Sequence, residues 1–220
     1  MPDAVATNII VFGRGLVAAD IGFQLTRASA ERVDALVAYV EQNSEVFSSR
    51  HGKIVFSGGW AGAAEGVERP PARFREGALM LGRAKAANIG GETLARYAET
   101  YSEIDSDSTL ENVLRTKEAC YFNDISFTVY NPLGLIAHHG HMARIDYLIR
   151  KAFGVPRDAI VHIVASGADN LSGGFSENII LAVTCLAFLG ANGDKALRRR
   201  HRILVGLRKR FWSRNTRSKV

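Results

Sequence analysis

The sequence predicts an α/β fold: a Rossmann-like three-layer α/β/α sandwich with a mostly parallel sheet. Three observations predict it. Short, almost wholly apolar runs recur at Asn8–Phe12 and at residues 53–56, 133–137 and 159–165, as expected of strands buried on both faces. Helix-period segments separate these runs, which implies βαβ units. Nearly every glycine-rich or polar cluster falls just after a strand, at residues 13–15, 57–60, 106–112, 138–144 and 166–174. In open parallel sheets ligands bind outside the carboxyl ends of the strands, so these five loops should converge on one crevice.

The first apolar run ends at Gly13-Arg14-Gly15, a strand followed by a tight turn. Ser29 is placed to cap a helix whose apolar residues Val33, Leu36, Val37 and Val40 follow i, i+3, i+4, i+7 spacing. Residues 53–56 form the next strand, stopped by Ser57-Gly58-Gly59, and a polar loop runs on to Pro70-Pro71. Helix formers fill residues 73–87. Residues 95–101 read as a weaker strand, and Ser108 opens a helix to about residue 122. Residues 127–130 read as a short edge strand or an extended loop. Residues 133–137 form a strand that ends in His138-His139-Gly140-His141, and a helix follows over 142–153. The strand at 159–165 precedes a helix capped by Ser176 and running to Leu189. Its apolar run, 179–190, falls short of the ~20 residues a membrane span needs and reads as a buried helix.

At 220 residues, with 47% hydrophobic and 23% charged content, one globular domain is expected. The only two cysteines, Cys120 and Cys185, provide no disulfide framework. They suggest a reduced, cytoplasmic setting with both thiols buried. The N-terminal segment lacks the pattern of a secretory signal.

The formal net charge of +6 is unevenly placed. Residues 198–220 carry ten Lys and Arg and no acid, and removing those ten from 28 leaves 18 bases against 22 acids. An acidic body of residues 1–197 therefore bears a basic amphipathic C-terminal tail over 198–220. Nucleic-acid binding by the body is not expected, because it has no basic face of its own. Wound as a helix, the tail groups Leu197, Leu204, Leu207 and Phe211 on one side, interrupted by Arg200 and Arg208. It reads as a docked terminal helix with a solvated end, or as a segment peripheral to an anionic membrane.

Among the local motifs, Gly13-Arg14-Gly15 resembles the start of a dinucleotide loop, but Ala18 stands where the third glycine belongs. A plain strand-exit turn is the better match, with contact to another small ligand left open. Ser57-Gly58-Gly59-Trp60 could form a backbone nest for an anion with Trp60 stacked on a ring, or a simple turn. Glu76 sits early in a helix, where it suits the macrodipole. In a crevice it could bind hydroxyls or an amine. Ser108-Thr109-Leu110-Glu111 is a capping box, and its hydroxyls also suit an anion; Asn112 is the freer ligand candidate. His138, His139 and His141 lack a carboxylate at ligand spacing, so no metal is expected. His141 and Arg144 share a helix face, which suits a clamp of His⁺ and Arg on a phosphate or carboxylate.

The order of these pieces resembles the YdcF/SanA/ElyC-like family, whose domain has no firmly established reaction. The resemblance rests on Gly13-Arg14-Gly15 after a strand, Arg32 in the next helix, and Ile54-Val55-Phe56-Ser57-Gly58-Gly59. It continues through Glu76-Gly77-Ala78-Leu79-Met80, Ser108-Thr109-Leu110-Glu111-Asn112-Val113 and His141-Met142-Ala143-Arg144. It implies a Rossmann-like fold with site residues Gly13, Gly15, Ser57, Gly58, Gly59, Glu76, Thr109, Glu111, Asn112, His141 and Arg144. It also implies a link to envelope and wall-polymer biogenesis and to S-adenosylmethionine binding. The sequence departs from the family pattern at His138, His139, Gly140 and Ala143.

The functional expectation is an enzyme acting by transfer or hydrolysis on a phosphate- or nucleotide-linked metabolite. Glu76, Glu111 and His141 are its candidate catalytic groups. Gly13, Arg14, Gly15, Ser57, Gly58, Gly59, Trp60, Ser108, Thr109, Asn112 and Arg144 are its candidate ligand contacts. The alternative is a non-catalytic module that binds S-adenosylmethionine or a nucleotide.

Overall fold

The computed structural model describes residues 4–62, 67–167 and 176–217, with side chains through Gly206. Strand β1 (Asn8–Phe12) leads into an antiparallel hairpin, β2 (Leu16–Ala18) and β3 (Phe23–Leu25). Helices α1 (Arg27–Gln42) and α2 (Ser44–Arg50) precede β4 (Gly52–Ser57). Then come α3 (Glu76–Ala86), β5 (Ala98–Glu103), α4 (Thr109–Glu118), β6 (Leu133–His138) and α5 (His139–Phe153). The described chain closes with β7 (Ile160–Ala165), α6 (Glu177–Ala187) and α7 (Asp194–Arg217).

The main sheet has the order β5-β4-β1-β6-β7, and every pairing in it is parallel. The chain winds outward from β1 through β4 to β5, then returns to the other side of β1 as β6 and β7. The reversal falls between β1 and β6, which places the crevice at their carboxyl ends. All five residues of β1 are buried. Its alternate side chains feed two cores. Ile9 and Val11 pack with Val33, Leu36, Phe47 and Met80 from α1, α2 and α3. Ile10 and Phe12 pack with Leu110, Val113, Ile145 and Leu148 from α4 and α5. This is the three-layer α/β/α sandwich that the sequence predicts.

Several local expectations change. Thr26, not Ser29, caps α1, its hydroxyl accepting from Ser29 N–H at 3.2 Å, which frees the Ser29 hydroxyl for the crevice. Helix α5 begins at His139, inside the histidine cluster, with His138 at its N-cap. Residues 127–130 form no strand; only an isolated Thr128–Asn131 bridge is present. The hairpin and α2 carry no sequence pattern strong enough to announce them. Both thiols were expected in the core, but Cys120 is exposed and Cys185 half-buried.

Helix α6 is not a buried helix. Its outer side exposes Ile179, Val183 and Leu186 to solvent. The boundary expected between residues 197 and 198 falls inside α7. Leu197 is fully buried, and Leu204 packs against the α4–α5 core. Arg198 pairs with Glu111 at 2.8 Å and Glu118 at 2.6 Å, and His201 Nε2 lies 3.1 Å from Ser108 Oγ. The first three turns of α7 are thus a docked terminal helix. The side chains of Leu207, Arg208 and Phe211, and the loop residues 168–174, lie outside the described residues. Among the described residues no helix is long and apolar enough to cross a membrane.

Candidate functional site

The loops after β1, β4 and β5 and the start of α5 enclose a cleft of about 350 Å³ at the carboxyl ends of the strands. Gly13, Arg14, Gly15, Gly59, Trp60, Glu76, Ser108, Thr109, Asn112 and His141 all line it, as do Ser106 and Asp107. Ser57, Gly58, Glu111 and Arg144 do not line it.

Glu76 explains the first glycine turn. Its Oε1 accepts from Arg14 N–H, Gly15 N–H and the Ser29 hydroxyl, each at 2.5 Å. A Cβ on Gly13 would sit 2.1 Å from the Glu76 carboxyl carbon, and one on Gly58 would sit 2.8 Å from Oε2. These glycines admit an internal carboxylate where a dinucleotide loop would admit a phosphate. The amides of Arg14 and Gly15 are already engaged.

The opposite wall is held by a buried chain of polar groups. Arg32 is fully buried. Its Nη1 donates to the carbonyls of Phe12 (2.9 Å) and Gly13 (3.0 Å), tying α1 to the end of β1. Its Nε donates to His138 Nδ1 at 3.0 Å, and its Nη2 lies 3.3 Å from His141 Nδ1. His138 Nε2 in turn lies 3.0 Å from Glu31 Oε2. Arginine has donors only, so both Nδ1 atoms must be lone pairs and both ring protons must sit on Nε2.

His141 is held neutral. Burial, and then the charges of Arg144, Arg32 and Arg14, push its pKa well below the ordinary 6.5. Its Nε2–H therefore donates to Thr109 Oγ1 at 3.3 Å. Arg144 Nη1 donates to the same oxygen at 3.1 Å. Both acceptor positions of Thr109 Oγ1 are thereby filled, and donation through its own O–H is the capacity that remains.

The expected clamp of imidazolium and guanidinium is therefore corrected. His141 is a neutral donor, and the Arg144 charge is met by Glu177, whose carboxylate it grips at 3.1 and 3.2 Å. Arg14 reaches the same carboxylate at 3.1 Å. Glu111 likewise serves elsewhere: it holds Arg198 and Arg115 and does not reach back to the cap. Ser108 does cap α4, accepting from Glu111 N–H at 3.3 Å.

Ser57 is fully buried, bonded to Glu103 at 3.1 Å and to the Asn112 carbonyl at 3.2 Å. It fixes α4 against β4 and offers nothing to a ligand. Asn112 donates to the Ser57 carbonyl at 3.4 Å while lining the cleft. Trp60 packs edge-on against Phe23 of the hairpin, with ring centroids 4.9 Å apart. Its Nε1–H is buried without a partner among the described residues.

Ser29, Glu31, Arg32, Asp107 and Glu177 escape the sequence reading as site residues. A signal exists for two of them. Ser29 and Arg32 are polar positions on the same face of α1 as Val33, Leu36 and Val40. A polar pair on the core face of a helix needs partners inside the protein. Glu177 is disguised as a favourable first-turn acid.

The fold and the cleft define the class of protein: an α/β protein of the Rossmann-like kind with a ligand-sized crevice at its topological switch. No protein-family model, no curated protein and no solved structure matches this chain.

Proposed function

We propose that the cleft binds a phosphorylated or nucleotide-like small molecule and that the protein acts by transfer or hydrolysis at its phosphate-linked position. One observation carries this reading: Thr109 Oγ1 accepts from both His141 and Arg144 and so presents a hydroxyl donor at the cleft. The first amides of α4 lie at the same wall, and helix N-termini favour anions. Trp60 adds a flat ring to the lining. The carboxylates of Glu76 and Asp107, also in the lining, suit the hydroxyls of a sugar.

In the proposed step Glu76 Oε2 takes the proton of an attacking water or hydroxyl, whose oxygen bonds to phosphorus as the leaving oxygen departs. The Thr109 hydroxyl, oriented by the neutral His141 and by Arg144, donates to an anionic oxygen and holds it in place. Resemblance to the YdcF/SanA/ElyC-like proteins supports the same reading, including a nucleotide or S-adenosylmethionine as the bound compound.

Calorimetric titration with adenosine 5′-monophosphate, adenosine triphosphate and inorganic phosphate tests the proposal. Binding is expected in the wild type. Thr109→Val should weaken it by about 10- to 100-fold, the value of one hydrogen bond to a charged group. Equal affinities in the two proteins would reject the reading.

A binding module without turnover is the second reading. It is favoured by the engagement of the His141 lone pair with Arg32, which removes that imidazole as a base. Ligand recovered unchanged after long incubation with donors and acceptors would support it. Contact of the basic tail with an anionic membrane is a separate proposal, tested by flotation of anionic vesicles with the chain intact or ended after Gly206.

A further inference from the structure

A second cavity, of about 420 Å³, opens between α4, α5, α6 and α7. It shares Ser108 and Thr109 with the polar cleft, so the two cavities meet at the N-terminus of α4. Its walls are mainly aliphatic, formed by Leu110, Leu148, Ile180, Val183, Leu204 and Val205.

The polar lining is concentrated at the junction. Arg144 is bonded to Thr109, and His201 to Ser108. Thr184 spends its hydroxyl inside its own helix, on the Ile180 carbonyl at 2.7 Å. The cavity therefore meets the polar wall of the cleft at one end and is hydrocarbon-like along the rest.

The outer side of α6 extends this apolar lining. Ile179 and Val183 line the cavity yet are 53% and 50% exposed. Leu186 continues the same stripe at 72% exposure, and Leu189, just past the end of the helix, is 70% exposed. From Ile179 to Leu186 such a helical stripe runs about 10 Å. A contiguous exposed apolar strip of this kind marks a surface that is covered in use.

We propose that this groove receives the hydrocarbon chain of an amphiphilic ligand whose anionic head sits in the cleft. The proposal rests on the anion-binding reading of the cleft and names the substrate class: a phosphate ester of a long-chain alcohol or a related single-chain lipid phosphate. The shared Thr109 is the reason for choosing a chain over a protein partner. A head group bonded to its hydroxyl leaves its chain directly at the mouth of the groove. A covering protein would have no reason to begin at the anion site.

The test is a series of n-alkyl phosphates from methyl to decyl, titrated into the full chain below their micelle-forming concentrations. Affinity should rise roughly fourfold per added methylene and then level off as the groove fills. Val183→Asp, at an exposed position, should flatten the series while leaving methyl phosphate binding unchanged. Val183→Leu should preserve the rise.

Three results would overturn the proposal. The first is an affinity independent of chain length in the wild type. The second is a chain-length dependence that survives Val183→Asp, which would put the chain elsewhere. The third is a dimer that Val183→Asp converts to monomer with no change in alkyl phosphate affinity, which would make a second copy the occupant. Failure of the anion-binding reading looks different: methyl phosphate would not bind, and n-alkanols would show the same rise as n-alkyl phosphates.

Discussion

Arg32 Nη2 and His141 Nδ1 face each other at 3.3 Å beneath the floor of the cleft. This contact decides what the histidine can do. A group that offers only donors forces the imidazole to present its lone pair inward and its proton outward. The sequence suggests a cationic histidine, but the fold supplies three arginines around a fully buried ring and keeps it neutral.

The first prediction concerns pH. The folded-state pKa of His141 lies below its unfolded value of about 6.5. The unfolded chain therefore binds a proton that the folded chain refuses. Stability is fully present above about pH 6.5 and is lost as pH falls toward the folded pKa. His201, also lowered by burial, acts in the same direction. Denaturant unfolding should show stability falling as the pH drops below about 6.5, with a limiting slope of ~1.4 kcal/mol per pH unit for His141. His141→Gln should remove its share of the slope. An unchanged slope would mean that the ring titrates normally.

Arg32→Met should cost about 3–5 kcal/mol in urea unfolding, the penalty for breaking a buried charged network by removing one partner. The Phe12 and Gly13 carbonyls lose their donor, and both histidines lose the group that fixes their tautomers. The ¹⁵N shifts of the His141 ring in the wild type should report a neutral ring protonated at Nε2.

Gly13 and Glu76 should be energetically coupled. Gly13→Ala drives a methyl group into the Glu76 carboxyl and should destabilise the fold by about 2 kcal/mol or more. Glu76→Ala leaves the Gly15 amide unpaired and the Arg14 amide with the Ser29 hydroxyl alone, at about 1–3 kcal/mol for a group left buried. The double substitution should cost clearly less than the sum of the two, because the clash disappears with the side chain. Additive losses would show that the two residues do not share this space. Added formate should restore part of the stability of Glu76→Ala by occupying the Arg14 and Gly15 amides.

A chain ended after Leu197 should be destabilised by about 2–4 kcal/mol in thermal unfolding, since it loses the packing of Leu204 and the Arg198–Glu111 pair. A chain ended after Gly206 retains both. Equal stability of the chain ended after Leu197 and the full chain would show that α7 is not part of the folded body.

The central architecture is legible in the sequence because strands buried on both faces, such as Asn8–Phe12, must be apolar at every position. The crevice is legible because its glycines and hydroxyls interrupt those runs at the strand ends. The roles inside it are not legible. Gly13 matches a phosphate loop and a carboxylate pocket equally well, and only the arrival of Glu76 from far along the chain decides between them. Arg144 and Glu111 look like free ligand groups until Glu177 and Arg198 are brought to them by α6 and α7. The outer face of α6 misleads for the opposite reason: an apolar helix reads as buried, although nothing among the described residues covers it.

A crystal structure of the protein with a bound nucleoside monophosphate tests the central claim most directly. The account predicts a phosphate oxygen within hydrogen-bond distance of the Thr109 hydroxyl, with Arg32 still bonded to His141 behind it. A phosphate bound away from the α4 N-terminus, or a ligand that leaves the cleft vacant, would contradict it.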